Sequence, residues 1–313
     1  MGRRKNRSNI KDHGVDFCYV VGIFEHLIIE IEFRLFRLLR LEASMVTQVA
    51  PLPVYENPPV NEVVCGILFA RLDELLTPYL GLLWEKYKPA YSKCQEVAPL
   101  MPIIENLGQG EPQEVDMLPL PRIWFVHDNN RNIIQIQRDR FLHNWRKIQS
   151  NDKYPRYENI IKDFRDHLST FTEFLKENNL GTLTPLQYEL TYINHILQEE
   201  GWETITDIEK IFPNFSWQKG RNSFLTIPET INWQTSFALP ELTGRLHSKL
   251  QSAIRRDDGR PAILFELTAR GIGSYTTLVT MWSWFELAHE WVVRGFTDLT
   301  DPQVQKDVWG RKI

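Results

Sequence analysis

The chain has little cysteine: Cys18, Cys65 and Cys94 are the only three among 313 residues, and no two stand at a CxxC spacing. That excludes a disulfide framework and a thiolate zinc site, and it fits a reducing, cytoplasmic compartment. HExxH, GxSxG, EF-hand and GKS/GKT phosphate-loop patterns are absent as well, so the classes they mark have no signature here. Charge of one sign is also lacking. The 36 Lys and Arg against 40 Asp and Glu give a net charge of −4, with no global pull toward nucleic acid. Missing too is an uninterrupted apolar run. The stretch from Phe17 to Leu41 is broken by Glu25, His26, Glu30 and Glu32. A charge near mid-bilayer costs roughly 2.5–3.5 kcal/mol, so no transmembrane segment is expected. No clean small-residue cleavage site follows that would make the run a signal peptide.

What is present is an ordinary globular balance with many aromatic residues: 42% hydrophobic, 24% charged, and ten Trp. The length allows one large domain or two modest ones. Residues 1–56 read as an N-terminal extension and lead-in. The first eleven are basic, and Glu30, Glu32, Arg34, Arg37 and Arg40 leave a Leu-rich face over 28–41. That face suits a partner-binding helix, and peripheral membrane contact through 17–41 is the weaker reading. An equal alternative is that the segment before Met45 is not native and translation starts there. Pro51, Pro53, Pro58 and Pro59 then hold the chain extended.

Residues 57–200 follow the pattern of a β-α-β-β-α-β unit. NEVVCGILFA (61–70) is a strand by its β-branched run, and Thr77-Pro78 opens a helix with Thr as cap. Residues 105–121 form a loop. RIWFVH and NIIQIQRDRF make a hairpin about DNNRN. A helix with Ile160, Phe164, Leu168, Phe171 and Leu175 on one face ends at Asn178-Asn179-Leu180-Gly181, and LQYELTYINHI (186–196) is a strand. The expectation is an α+β protein with a ferredoxin-like half. Its helices lie on one face of an antiparallel sheet, and its other face is free. Residues 201–313 form a second antiparallel β-rich half. It contains a strand pair broken near Pro240, a DDGR turn (257–260) and the strand PAILFELTAR. A long helix with Leu278, Met281, Phe285, Ala288 and Val292 on its apolar face closes the half. Thr300-Asp301-Pro302 starts a short last helix. A second sheet packed on the first is the favoured arrangement, because it covers the free face.

The stretches PPVNEVVCGILF, YLGLLWEKY, PRIWFV, IIQIQRDRFLHNWRK, YPRYENI, QYELTYINHI and WVVRGFTDLT, with the terminal WGRK, carry a resemblance. From Pro58 to Lys312 the chain resembles an uncharacterised bacterial family found sporadically across genomes. Members of that family begin just before the Pro-Pro element. The resemblance implies no established activity, cofactor or catalytic residue, and none is carried over.

Chemical interest concentrates at the end of the hairpin. If Ile134 and Ile136 share a face, alternation puts Arg138 and Arg140 on that side and Gln135, Gln137, Asp139 and Phe141 on the other. Two arginines could grip a phosphate or carboxylate, with Asp139 ordering a neighbour; the structural alternative, local ion pairing, weighs more. The two glutamines need partners if buried, so they favour a polar contact or a binding surface. His143 could be an acid–base group, but no nucleophile or paired carboxylate stands near it in sequence. Trp145, Arg146 and Lys147 mix cations and aromatics as single-stranded nucleic-acid sites do. Tyr188 and Tyr192 form a period-2 pair on one strand face. Asn194 and His195 close that strand, more in keeping with capping a loop than with a site. The GIGS turn (271–274) before the long helix lacks the full phosphate-binding pattern.

The reading favours a non-enzymatic interaction or regulatory protein, from a mobile or defence-linked locus, with a protein partner or a second copy as its target. No metal or cofactor is expected. The alternatives are RNA or single-stranded DNA binding through the Arg/Trp/Lys cluster, and an enzyme acting on a phosphorylated or nucleotide ligand there.

Overall fold

Alternation decides the first strand. In β1 (Val60–Phe69) the side chains of Val63, Cys65, Ile67 and Phe69 are fully buried on one face, with Glu62, Val64, Gly66 and Leu68 on the other. The computed structural model describes residues 50–101, 103–105, 113–114, 122–216, 224–255, 259–271 and 278–313. The expected extension through residue 49, residues 257–258 of the DDGR turn and residues 272–274 of GIGS lie outside these.

Helix α1 (Thr77–Tyr87) follows, with Leu76 rather than Thr77 at its cap position and no side-chain cap. Then come β2 (Lys93–Val97), the small pair β3 (Ile103–Ile104) and β4 (Gln113–Glu114), β5 (Arg122–Val126), β6 (Asn132–Gln137) and β7 (Arg140–Arg146). Helix α2 (Tyr157–Glu177) buries Ile160, Phe164, Leu168, Phe171 and Leu175, as its spacing requires. It stops in a Schellman turn. Asn179 takes a positive φ of 53°, its N–H reaches Lys176 O, and Leu180 N–H reaches Leu175 O.

The second half runs β8 (Pro185–Leu197), a 3₁₀ turn (Ile205–Lys210), β9 (Asn232–Ala238), β10 (Gly244–Ile254), β11 (Pro261–Gly271) and α3 (Leu278–Leu299). The last helix, α4 (Pro302–Asp307), is capped by Asp301, whose carboxylate accepts from the Gln303 and Val304 amides.

All nine long strands form one antiparallel sheet in the order β2-β5-β6-β7-β1-β8-β11-β10-β9. Two expectations are corrected here. The second half does not build a second sheet on the first: β8 pairs with β1 on one side and β11 on the other, so the second half extends the same sheet. And NIIQIQRDRF is two strands, because Arg138 and Asp139 form a tight turn that reverses the chain. The first half is therefore strand, helix, four strands, helix (β1, α1, β2, β5–β7, α2) in place of β-α-β-β-α-β. The second half repeats a similar course from β8 to α3. The halves meet at the β1–β8 pair, about which the strand order is mirrored.

Both long helices cover the same face. Phe141 stacks on Phe171 at 5.2 Å, Tyr188 meets Trp284 at 5.5 Å, and Phe164 meets Phe285 at 5.4 Å between the helices. Nearly the whole apolar core lies between this face and the helices. No helix among the described residues is long and apolar enough to cross a membrane.

Candidate functional site

The face away from the helices is polar, and the Arg138–Asp139 turn decides which side chains reach it. Across that turn Gln137 pairs with Arg140 and Ile136 with Phe141. Directly opposed residues share a face. Arg140 therefore joins Gln135 and Gln137 on the open face, while Phe141 points to the helices. The expected grouping of Arg138 with Arg140 on the isoleucine side is overturned, because alternation does not continue through a turn. Arg138 sits in the turn, with its Nε donating to Leu75 O at 2.9 Å. Asp139 accepts from Gln137 and Arg140, both at 3.3 Å.

A chain of side-chain bonds crosses four strands on this face. Trp124 Nε1 and an Arg122 guanidinium nitrogen donate to Gln135 Oε1 at 2.8 and 3.1 Å. Gln135 donates to Asn144 at 2.6 Å, and Asn144 donates to Glu62 at 2.5 Å. Burial raises the Glu62 pKa, and the Asn144 bond and Arg146 charge only partly oppose it. Arg122 lies close enough to Arg140 that burial first, and then that neighbouring cation, lower its pKa. Arg122 Nε and one Arg140 terminal nitrogen are buried without partners.

Residues 98–101 and 103–105 lie across the same face as a strap, tied down by two buried glutamines. Gln137 accepts from Leu100 N–H at 2.7 Å and donates to Leu100 O. Gln187 accepts from Glu105 N–H at 2.8 Å and donates to Ile103 O at 2.9 Å. Each side-chain amide thus replaces a strand partner for the strap backbone. From β6 to β8 the strap crosses three strand spacings of about 4.8 Å each. Glu105 ends it in an ion pair with Arg245 at 3.0 Å and a 2.5 Å contact with His247 Nε2. Burial alone would raise the Glu105 pKa, but His247 and Arg245 outweigh it and hold the carboxylate below its ordinary value. Glu189 and Arg270 pair at 2.6 Å on neighbouring strands. The free face is covered in part by this strap, which includes β3, and not by a second sheet built from the second half.

The remaining candidates separate. Trp145 and His143 are buried under the helices, so Trp145 has no ring face open for base stacking. Arg146 Nε donates to Asn130 O at 3.1 Å, and Lys147 follows the end of β7, half-buried. Tyr188, Tyr192 and Asn194 are buried on the helix side; His195, next along β8, is on the open side. His143 lies 5.0 Å from His167, which accompanies Tyr91 and His127 in one aromatic cluster. Burial, then His167, pulls the His143 pKa to about 3, and the Ile160 backbone offsets this only in part. Among the described residues no grouping of His, Cys, Asp and Glu is placed to hold a metal ion.

Sequence reasoning missed Glu62, Glu105 and Gln187, and weighed Asn144 only beside His143 and Trp145 as a possible acid–base group. Asn144 and Gln187 carried a signal, being amides inside apolar strands; Glu105 sat in a stretch with no periodicity. No protein-family model, no curated protein and no solved structure matches this chain.

Proposed function

We infer that the chain is a non-enzymatic interaction protein that binds an extended protein segment by adding it to the sheet at β9. The carrying observation is the contrast between the two sheet edges. Edge strands usually bear charges or proline that prevent strand addition. The β2 edge follows that rule with Lys93 and Glu96. The β9 edge, NWQTSFA, has neither charge nor proline over seven residues, and no described strand pairs with its outer side. Phe237 within it and Leu242 just after it are exposed, and Phe224, Leu225 and Ile227 shortly before it are exposed too, Phe224 by 98%. Exposed apolar groups beside an unpaired backbone edge suit a partner strand, which takes main-chain bonds from the edge and side-chain contacts from the rim.

Internal pairing on the open face supports binding over catalysis. Glu105, Glu189 and Asp139 each have a cationic partner within the chain, which holds them in fixed ion pairs and leaves them poorly placed to serve as a proton-transfer pair. The test is affinity purification of the full chain with mass spectrometry, beside size measurement of the pure protein. Phe237→Lys with Phe224→Asp is expected to abolish partner capture or self-association while leaving thermal unfolding unchanged. A strictly monomeric chain with no co-purifying protein, or capture undiminished in the variant, overturns the reading.

A second reading has its own observation. Arg122 and Arg140 are neighbouring cations with unused buried N–H donors, an arrangement that favours a phosphate or carboxylate. Salt-sensitive binding of inorganic phosphate that is lost in Arg140→Ala would support it, and phosphate binding unchanged by that substitution would dismiss it.

A further inference from the structure

The helix face holds a pocket of about 360 Å³ where the two halves meet, between the start of α2, the middle of α3 and the lead-in at Leu52–Pro58. Its walls are mainly apolar, with Val60, Leu267, Val292 and Phe296 among them. Three polar features open into it, and each has hydrogen-bonding capacity that the protein does not use.

The first is a pair of phenols. Tyr154 and Tyr192 hydroxyls lie 2.9 Å apart and have no other hydrogen bond among the described residues. Two hydroxyls carry two protons, and their mutual bond engages one; the other proton has no acceptor. Burial raises both phenol pKa values, so both stay protonated. The second is Asn194, only 1% exposed. Its amide nitrogen donates to Phe265 O at 3.0 Å, while its carbonyl oxygen accepts nothing among the described residues. The third is His289, stacked on Tyr157 at 3.8 Å and nearly parallel, with neither ring nitrogen hydrogen-bonded among the described residues. Burial lowers its pKa to about 4, so near neutral pH it is an uncharged donor and acceptor.

A bound molecule with matching donor and acceptor groups would use this unspent capacity. The pocket lies within the size range of small-molecule sites and has their usual character: apolar walls with a few directed polar groups. The charges nearest it, Arg156 and Glu158, are exposed and opposite in sign, so neither an anion nor a cation is favoured.

We propose that this pocket binds an uncharged, largely apolar small molecule carrying a ring and one hydroxyl or carbonyl group, held by the Tyr154–Tyr192 hydroxyls and the Asn194 carboxamide. The site does not depend on partner binding at β9, so either can fail without the other. The test uses the full chain and two probes, 2-naphthol and naphthalene, which differ by one hydroxyl. Calorimetry or ligand-observed NMR is expected to show 2-naphthol binding about five- to tenfold tighter, the worth of one or two hydrogen bonds. Tyr154→Phe with Tyr192→Phe is expected to weaken 2-naphthol about fivefold and leave naphthalene unchanged. Protein NMR signals of the His289 ring and the Asn194 side-chain amide are expected to shift on titration, which locates the site without a variant. Equal affinity for the two probes, no binding of either up to its solubility, or shifts elsewhere in the chain would overturn the proposal.

Discussion

His143 offers the sharpest test of how this core is built. Its ring lies under α2, fully buried beside His167, and neither ring nitrogen has a partner at hydrogen-bond geometry. The folded pKa is about 3, against about 6.5 for an unperturbed histidine. Folding therefore keeps the ring neutral, and below pH 6.5 the unfolded chain takes up a proton that the folded chain refuses. The stability involved is complete above pH 6.5 and is lost as pH falls toward 3, at about 1.4 kcal/mol per pH unit. At pH 4.5 the loss is on the order of 2–3 kcal/mol. His143→Leu removes the titration and the two unpaired nitrogens while nearly conserving volume. Near pH 7.5 it should be neutral or stabilising by about 1 kcal/mol. Urea unfolding at pH 7.5, 6.0 and 4.5 should then show the variant gaining on the wild type by that further 2–3 kcal/mol at the lowest pH. Parallel pH dependences in the two proteins would refute the argument, because they would mean that His143 titrates normally when folded.

Three further outcomes follow from local geometry. A Cβ on Gly271 would collide with Thr243 O, and one on Gly244 with Arg270 O, so Gly271→Ala should destabilise by about 1–3 kcal/mol; an unchanged melting temperature would contradict the close pairing of β10 and β11. Gln187→Ala removes both side-chain bonds to the strap backbone at Ile103 and Glu105, so hydrogen exchange at Glu105, whose N–H bonds Gln187, should quicken, while that of Leu100, held by Gln137, and of β1 does not; equal protection of Glu105 would mean that its amide is held by other contacts. Asp301→Ala takes away a carboxylate accepting from two amides and should cost about 1 kcal/mol, read as a shift in the urea midpoint.

Much of the fold was legible, and the failures have identifiable causes. The α2 face and its stop were readable because helical spacing and the Asn-Asn-Leu-Gly signal act over a few residues. Strands β8 and β11 were readable for the same reason. The Arg138–Asp139 turn was not, since Asp139 stands there without the Gly, Asn or Pro that would mark a tight hairpin turn; the turn is also held by tertiary bonds, with Phe69 and Leu72 amides donating to the carbonyls of Asp139 and Arg138. Missing that turn misplaced Arg140 and hid a whole strand. At the site, Gln135 and Gln137 were marked as amides that need partners if buried; Gln135 finds its partners on the adjacent strands, while those of Gln137 and Gln187 lie far off in the chain. Leu100 is 37 residues from Gln137, and Glu105 is 82 from Gln187.

By itself the sequence determined what depends on neighbours: which stretches are helical or extended, which faces are apolar, and which motif-borne chemistries are missing. Tertiary structure alone decided that the two halves share one sheet, because β1 and β8 pair through backbone groups that every residue carries and that therefore leave no mark in composition. It also decided that the conspicuous Trp145 is buried and that Tyr154, Tyr192, Asn194 and His289 surround one pocket. The pocket residues come from three separate segments, and only the packing of α2 and α3 on a common face brings them together.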